Sequence, residues 1–308
     1  MNYTPEIKRI LTPVPIDAEC NAVLQKAMEF HKVYRSEIVI LHIITETSFF
    51  QKVVPSYQLK DQFKRAKRKL QKLAEDFFNG SIPDFVSIQV KSGNLIKEIQ
   101  NTADKSNCDL IIVNKEDRKN ASFSFLKPEN IEKLISSSSC PILTIPKNFA
   151  KPGIKNILIP VDITKKSTTK IAWVKYLAKK FKAKIHVVSV LNINIPTIDS
   201  LAYKKAKEIE EIVKKEGLDV DITLLETKQQ SMYDVILSHI HNLKPDLVLM
   251  MSHQENILFD NYIGKFAREV IHNSPSPVFN LTPTQETLIG DFLNSLGTNN
   301  AIKINSIS

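Results

Sequence analysis

His239 and His241, the pair Ser252-His253, and three cysteines are the residues of this chain whose types and spacing most invite chemistry. The two histidines stand two apart in a run with helical periodicity, so their imidazoles point in different directions. An i,i+4 pair would share a face and chelate; this spacing does not. A serine nucleophile needs a base that a third group orients, and no such group accompanies Ser252-His253. Cys20, Cys108 and Cys140 are odd in number and form no Cys-x-x-Cys pair. Cys108 and Cys140 flank strand-like segments, where a thiol acts as a small hydrophobe. No catalytic residue and no metal site are expected, and the cysteine usage suits a reducing, cytoplasmic compartment.

The net charge of +9 raises a different chemistry, the binding of polyanions. Its densest source is residues 60–72, where Lys60, Lys64, Arg65, Lys67, Arg68, Lys69 and Lys72 face only Asp61. The same segment spaces Leu59, Phe63, Ala66, Leu70, Leu73 and Phe77 by threes and fours. That is the core stripe of an amphipathic helix with its lysines toward water. No nucleic-acid motif accompanies it, so a solvated face is expected rather than a nucleic-acid partner. No apolar run approaches the roughly 20 residues of a membrane span, and no membrane partner is expected. The N-terminus has no basic residue followed by an apolar stretch, so a secretory signal is not expected.

The elements that must position these residues come in two sets. Ile7-Lys8-Arg9-Ile10-Leu11-Thr12-Pro13-Val14 returns as Ile154-Lys155-Asn156-Ile157-Leu158-Ile159-Pro160-Val161. Glu37 to His42 returns as Lys184 to Ser189, Cys108-Asp109-Leu110 as Pro245-Asp246-Leu247, and Cys140-Pro141-Ile142 as Ser276-Pro277-Val278. Four landmarks in one order predict two copies of a single domain. The copies are expected at 1–147 and 154–283, joined by a proline-bearing linker at 148–153. In each, Val/Ile/Leu-rich runs alternate with amphipathic ones. Strands are predicted near 8–14, 37–44, 85–91, 109–114 and 141–145, then near 155–161, 184–191, 219–225, 246–251 and 277–281. Nearly continuous apolar strands and this alternation predict a parallel, doubly wound sheet covered on both faces. Ligands of such sheets bind beyond the carboxyl ends of the strands, where strand order reverses. Residues 284–308 are expected to form a helical tail. Thr282-Pro283-Thr284-Gln285 would cap it, and Leu288, Ile289, Phe292, Leu293 and Leu296 would form its stripe.

On these landmarks the sequence resembles the universal stress protein family in tandem form, from the start to about Pro283. The resemblance implies two tandem α/β domains, each a five-stranded parallel sheet flanked by helices, of the adenine nucleotide alpha hydrolase-like, Rossmann-like type. Nucleotide-binding members of the family end their first strand in Pro-x-Asp. After the fourth strand they place Gly, two residues, Gly, nine residues, then Gly-Ser or Gly-Thr. Glycines let backbone N–H groups approach phosphate, and the last pair opens a helix whose N-terminus attracts anions.

Copy two keeps Pro160-Val161-Asp162, but Met251 and Gln254 take the first two glycine positions. Gly264 holds the third, and Lys265 replaces the hydroxyl residue. Asp162, Met251, Gly264 and Lys265 are therefore the candidate site for ATP, a related adenine nucleotide or a smaller anion. Copy one has Pro15 for the aspartate, Asn114 for the first glycine, and Lys127-Pro128-Glu129-Asn130 where Gly-Ser is expected. Glu116, Asp117 and Glu129 would repel phosphate there. The chain has seven glycines, at 80, 93, 153, 217, 264, 290 and 297, and of these only Gly264 falls in the pattern. Related nucleotide enzymes carry Ser-Gly-Gly-x-Asp or His-x-Gly-His elements, and this chain has neither. The expectation is a stress-response protein that acts by protein association without catalysis and without a bound cofactor. Its partners would be itself, as a pseudo-twofold domain pair and a homodimer, and another protein of unknown identity. In relatives the fifth strands meet across that contact; here these are residues 142–145 and 278–281.

Overall fold

The computed structural model describes residues 5–16, 20–45, 56–115, 126–161, 168–191, 201–227, 229–252 and 263–281. The first half runs β1 (Arg9–Pro13), α1 (Asn21–Tyr34), β2 (Glu37–Thr45), α2 (Ser56–Phe77), β3 (Val86–Gly93), α3 (Leu95–Lys105), β4 (Leu110–Lys115), α4 (Pro128–Ser137) and β5 (Ile142–Pro146). The second half runs β6 (Asn156–Pro160), α5 (Thr168–Phe181), β7 (Lys184–Leu191), α6 (Leu201–Lys215), β8 (Val220–Glu226), α7 (Met232–Leu243), β9 (Leu247–Met251), α8 (Lys265–Asn273) and β10 (Val278–Leu281). Each predicted strand is present. The tail expected at 284–308 lies outside the described residues.

The ten strands among the described residues form one sheet, in the order β3-β2-β1-β4-β5-β10-β9-β6-β7-β8. Within each half every pairing is parallel. The halves join where β5 meets β10 antiparallel, with Thr144 opposite Val278, Leu143 opposite Phe279 and Ile142 opposite Asn280. The order reads the same from either end, so the halves are related by a pseudo-twofold at that ladder. Strand order reverses between β1 and β4, and again between β6 and β9, which creates one crevice per half.

Strand side chains alternate between two layers, as the pleat requires. Ile10, Ile38, Ile40, Leu110, Ile112, Leu143 and Phe279 pack toward α1, α2, α5 and α6. Leu11, Val39, Leu41, Ile111, Val113, Ile142 and Val278 pack toward α3, α4, α7 and α8. Both layers hold residues from both halves, so each core crosses the join. Trp173 is buried beside Phe279, with ring centroids 5.2 Å apart.

Local chemistry sets several element ends. Asn94 caps α3 by accepting from the Lys97 N–H, and Ser231 caps α7 by accepting from Asp234. Gly93 closes β3 at φ +144°, where a Cβ would also meet Glu98 Cγ at 3.3 Å. The same carboxylate device recurs in both copies. Asp109 Oδ2 accepts the N–H groups of Lys8 and Arg9 at 2.7 and 2.9 Å. Asp246 Oδ2 accepts those of Lys155 and Asn156, both at 2.8 Å. Each carboxylate thereby ties the start of its half's central strand to the neighbouring strand.

One expectation fails. Leu59 and Phe63, placed by spacing on the core stripe, are 45% and 36% exposed. Ala66, Leu70 and Ala74 of the same helix are buried. Among the described residues no layer packs over the apolar face of this N-terminal part of α2.

Candidate functional site

The crevice of the second half lies beyond the ends of β6 and β9, beside the start of α8. Asp162, Gln254 and His253 lie outside the described residues. Met251 is buried at the end of β9 and packs into the layer that holds Trp173 and Phe279. Its side chain thus fills core beneath the crevice rather than leaving a gap for a backbone approach. Gly264 is the N-cap of α8, and its N–H donates to Ser252 O at 3.3 Å. Lys265 follows, exposed, with its ammonium 5.4 Å from the centroid of the Tyr233 ring. Gly264 and Lys265 therefore meet Met251 through Ser252 at one end of one crevice.

Two polar groups that sequence reasoning missed lie at the same end of this half. Lys170 is buried on α5, and its Nζ donates to Pro160 O at 3.3 Å. Ser189, near the end of β7, is 1% exposed, and its Oγ has no hydrogen-bond partner among the described residues. Val187 faces the α5 layer, so alternation turns Ser189 toward it too. The signal lay in the repeat: copy one has buried Val23 where copy two has Lys170. Copy one also has His42 where copy two has Ser189, and the His42 ring bonds Val14 O through Nδ1 at 3.0 Å.

The first half uses its crevice differently. Lys115, next to Asn114 at the end of β4, is 5% exposed and crosses into the other half. Its Nζ donates to Ile271 O and Ser274 O, both at 2.6 Å. These carbonyls belong to the carboxyl end of α8, where a cation meets both unpaired acceptors and the negative end of the helix dipole. Glu132 of α4 adds to the same contact, forming an ion pair with Arg268 Nε at 3.0 Å and meeting His272 Nε2 at 2.8 Å. Glu129 is exposed in the first turn of α4. Asp17, Glu116 and Asp117 lie outside the described residues.

The remaining reactive side chains have structural surroundings. Ser252 is fully buried and directs its Oγ at Leu281 O, 3.5 Å away. His241 is exposed and His239 half-buried. Burial, then the nearby His186, lowers the His239 pKa below the ordinary histidine value. Burial pushes the thiol of Cys20 up to about 11, and those of Cys108 and Cys140 up to about 12. Among the described residues no three His, Cys, Asp or Glu gather to hold a metal ion. No described helix is long and apolar enough to cross a membrane.

A tandem pair of doubly wound domains, joined through their fifth strands, is thus the class of protein that the fold defines. The family model described as the universal stress protein family matches residues 6–146 and again 153–279, and the chain belongs to that family. Among solved structures, a universal stress protein from Archaeoglobus fulgidus DSM 4304 is similar at 18% identity and a TM-score of 0.64. That alignment spans 91% of this chain and 98% of the other. A candidate universal stress protein from Pseudomonas aeruginosa UCBPP-PA14 has 19% identity and a TM-score of 0.62, over 94% and 98% of the two chains. A functionally unknown protein from Pseudomonas aeruginosa PAO1 has 19% identity and a TM-score of 0.61, also over 94% and 98%. At such identities the likeness is one of fold.

Proposed function

We propose that this chain is a cytoplasmic stress-response protein that works by associating with other proteins, not by catalysis, and that it forms homodimers. Its domains are taken as 1–147 and 154–283, with 148–153 as linker and 284–308 as a helical tail. The observation that carries the reading is Lys115. In nucleotide-binding relatives the residues after the fourth strand approach phosphate. Here the residue next to Asn114 is spent on two α8 carbonyls, which fastens one half to the other. Met251, at the matching end of β9, is spent on the core. Both positions serve the pair of domains instead of a ligand.

A second reading has its own support. Copy two keeps Asp162 in its sequence and holds Gly264 and Lys265 at the crevice, and the buried Lys170 and Ser189 lie at the same end. An ammonium beside a helix start suits an anion, so this half could hold ATP, a related adenine nucleotide or a smaller anion. Titration calorimetry of the full chain with ATP, with and without magnesium, decides between them. The association reading expects no saturable heat. Tight binding lost in both Asp162→Ala and Gly264→Trp would overturn it and establish the sensor.

A further inference from the structure

The exposed start of α2 and the neighbouring strand form a groove that the crevices do not explain. It encloses about 440 Å³ and is lined by Phe63, Lys64 and Lys67 of α2 and by Ile88, Gln89, Val90 and Lys91 of β3. Successive strand residues point to opposite faces. Four consecutive residues of β3 therefore border one groove only if it runs along the strand's edge. β3 is the end strand of the sheet, and among the described residues no strand pairs with its outer side. Unpaired backbone donors and acceptors on such an edge are a template for another extended segment.

The side chains say what kind of segment fits. Phe63 is 36% exposed, and Ile88 and Val90 are half-buried, which gives the groove an apolar floor. Lys64, Lys67 and Lys91 are exposed on its rim and form no ion pair among the described residues. On the same helix Arg65, Arg68 and Lys72 extend the positive field. The other end of the sheet is unlike this one. β8 carries Asp221 and Glu226, and Asp221 is already engaged by Lys184 and His186. The helix beside it, α6, mixes lysines with Glu208, Glu210 and Glu211. A second copy of this chain is a poor occupant of this groove, since its own β3 edge carries the same lysines and the Asp221 carboxylate of its β8 edge is already engaged.

We propose that the α2–β3 groove binds an extended segment of a partner protein in which acidic and apolar residues alternate, added as a strand to the outer edge of β3. Alternation lets one side of the added strand meet Phe63, Ile88 and Val90 on the face that α2 covers, while carboxylates on its other side reach Lys91, and Lys64 and Lys67 add to the positive field over the groove. Duplex DNA has no apolar surface to cover that floor, and a lone phenylalanine is a poor stacking platform for single strands. The inference gives the association reading a partner chemistry and rests on it only to that extent. Its failure would leave the outcome of the ATP titration untouched.

The test is fluorescence polarisation of the full chain with a labelled eight-residue peptide of alternating Glu and Val, matched to the 8 residues of β3. Saturable binding is expected, weakened about tenfold by Lys91→Glu, and severalfold by Phe63→Ser and by the double variant Lys64→Glu, Lys67→Glu. These side chains are exposed, and an unchanged unfolding midpoint confirms that the variants fold. N-methylation of alternate peptide amides should abolish binding, and a Glu-Gly peptide of equal charge should bind far more weakly. Absence of binding, indifference to the lysine variants, or equal binding by the N-methylated peptide would each overturn the proposal. So would a single-stranded oligonucleotide that displaces the peptide, binds more tightly and is lost steeply with salt, which would make nucleic acid the occupant.

Discussion

The ends of β4 and β9 are the same place in two copies of one domain, yet they do opposite things. At β4 the chain sends the buried cation Lys115 out of its own half and onto the carboxyl end of α8. At β9 the corresponding residue, Ser252, stays within its half and accepts the Gly264 N–H. The first crevice has been given to holding the halves together, and the second retains a helix start with a lysine beside it. Duplication of a fold thus leaves its core rules intact while freeing one copy of a site to become part of an interface.

The largest expected effect tests that asymmetry. Lys115→Met removes two charge-assisted hydrogen bonds and leaves buried carbonyls unpaired, at a cost of about 3 kcal/mol. Ser252→Ala removes a hydroxyl whose contact with Leu281 O is long, at 3.5 Å, and is expected to cost about 0.5 kcal/mol. Urea unfolding of both variants measures the difference, and equal costs would erase the distinction between the copies.

The paired aspartates supply the symmetric control. Asp109→Ala and Asp246→Ala are each expected to cost about 2 kcal/mol, because each carboxylate holds two backbone N–H groups. Burial opposes the charge on Asp246. Lys151 and the N–H groups of Lys155 and Asn156 outweigh it and hold the carboxyl below the usual aspartate value. A carboxyl so lowered contributes its full stability above its unfolded pKa of about 3.9, and that contribution is lost as pH falls through the lower folded value. Unfolding curves between pH 5 and pH 2 should therefore lose a component in wild type that Asp246→Asn lacks.

Glu132→Gln is a smaller perturbation. Glu132 is a quarter exposed and meets Arg268 and His272, so about 1 kcal/mol is expected. If it exceeds the cost of Lys115→Met, the α4–α8 ion pair and not the lysine carries the contact. The subtlest test uses the cysteines, all three of which lie buried in the first half. Thiol labelling in rising urea then reports on that half alone. One continuous sheet predicts that labelling and the circular dichroism midpoint coincide. Labelling at lower urea would show the halves opening separately.

Much of this architecture was legible beforehand, because strand runs such as residues 37–45 and 247–251 are apolar enough to require cover on both faces. The repeat then fixed their order. Where the sequence pattern misled, at Leu59 and Phe63, helical spacing reported which face is apolar but not whether a layer opposes it. Lys170 and Ser189 were invisible to motif reading for a similar reason: each is unremarkable in type, and only burial on the α5 layer makes it notable. Nothing local marks Lys115 either, since its two acceptors lie more than 150 residues away.

What the sequence determined by itself is therefore local and repeated: two copies and their elements. These follow from side-chain periodicity and backbone freedom, which act over a few residues. The antiparallel meeting of β5 and β10, the reach of Lys115 into α8 and the open edge of β3 were decided only in three dimensions. Each depends on which surfaces are left facing one another once both sheets have formed, and no short stretch of chain encodes that.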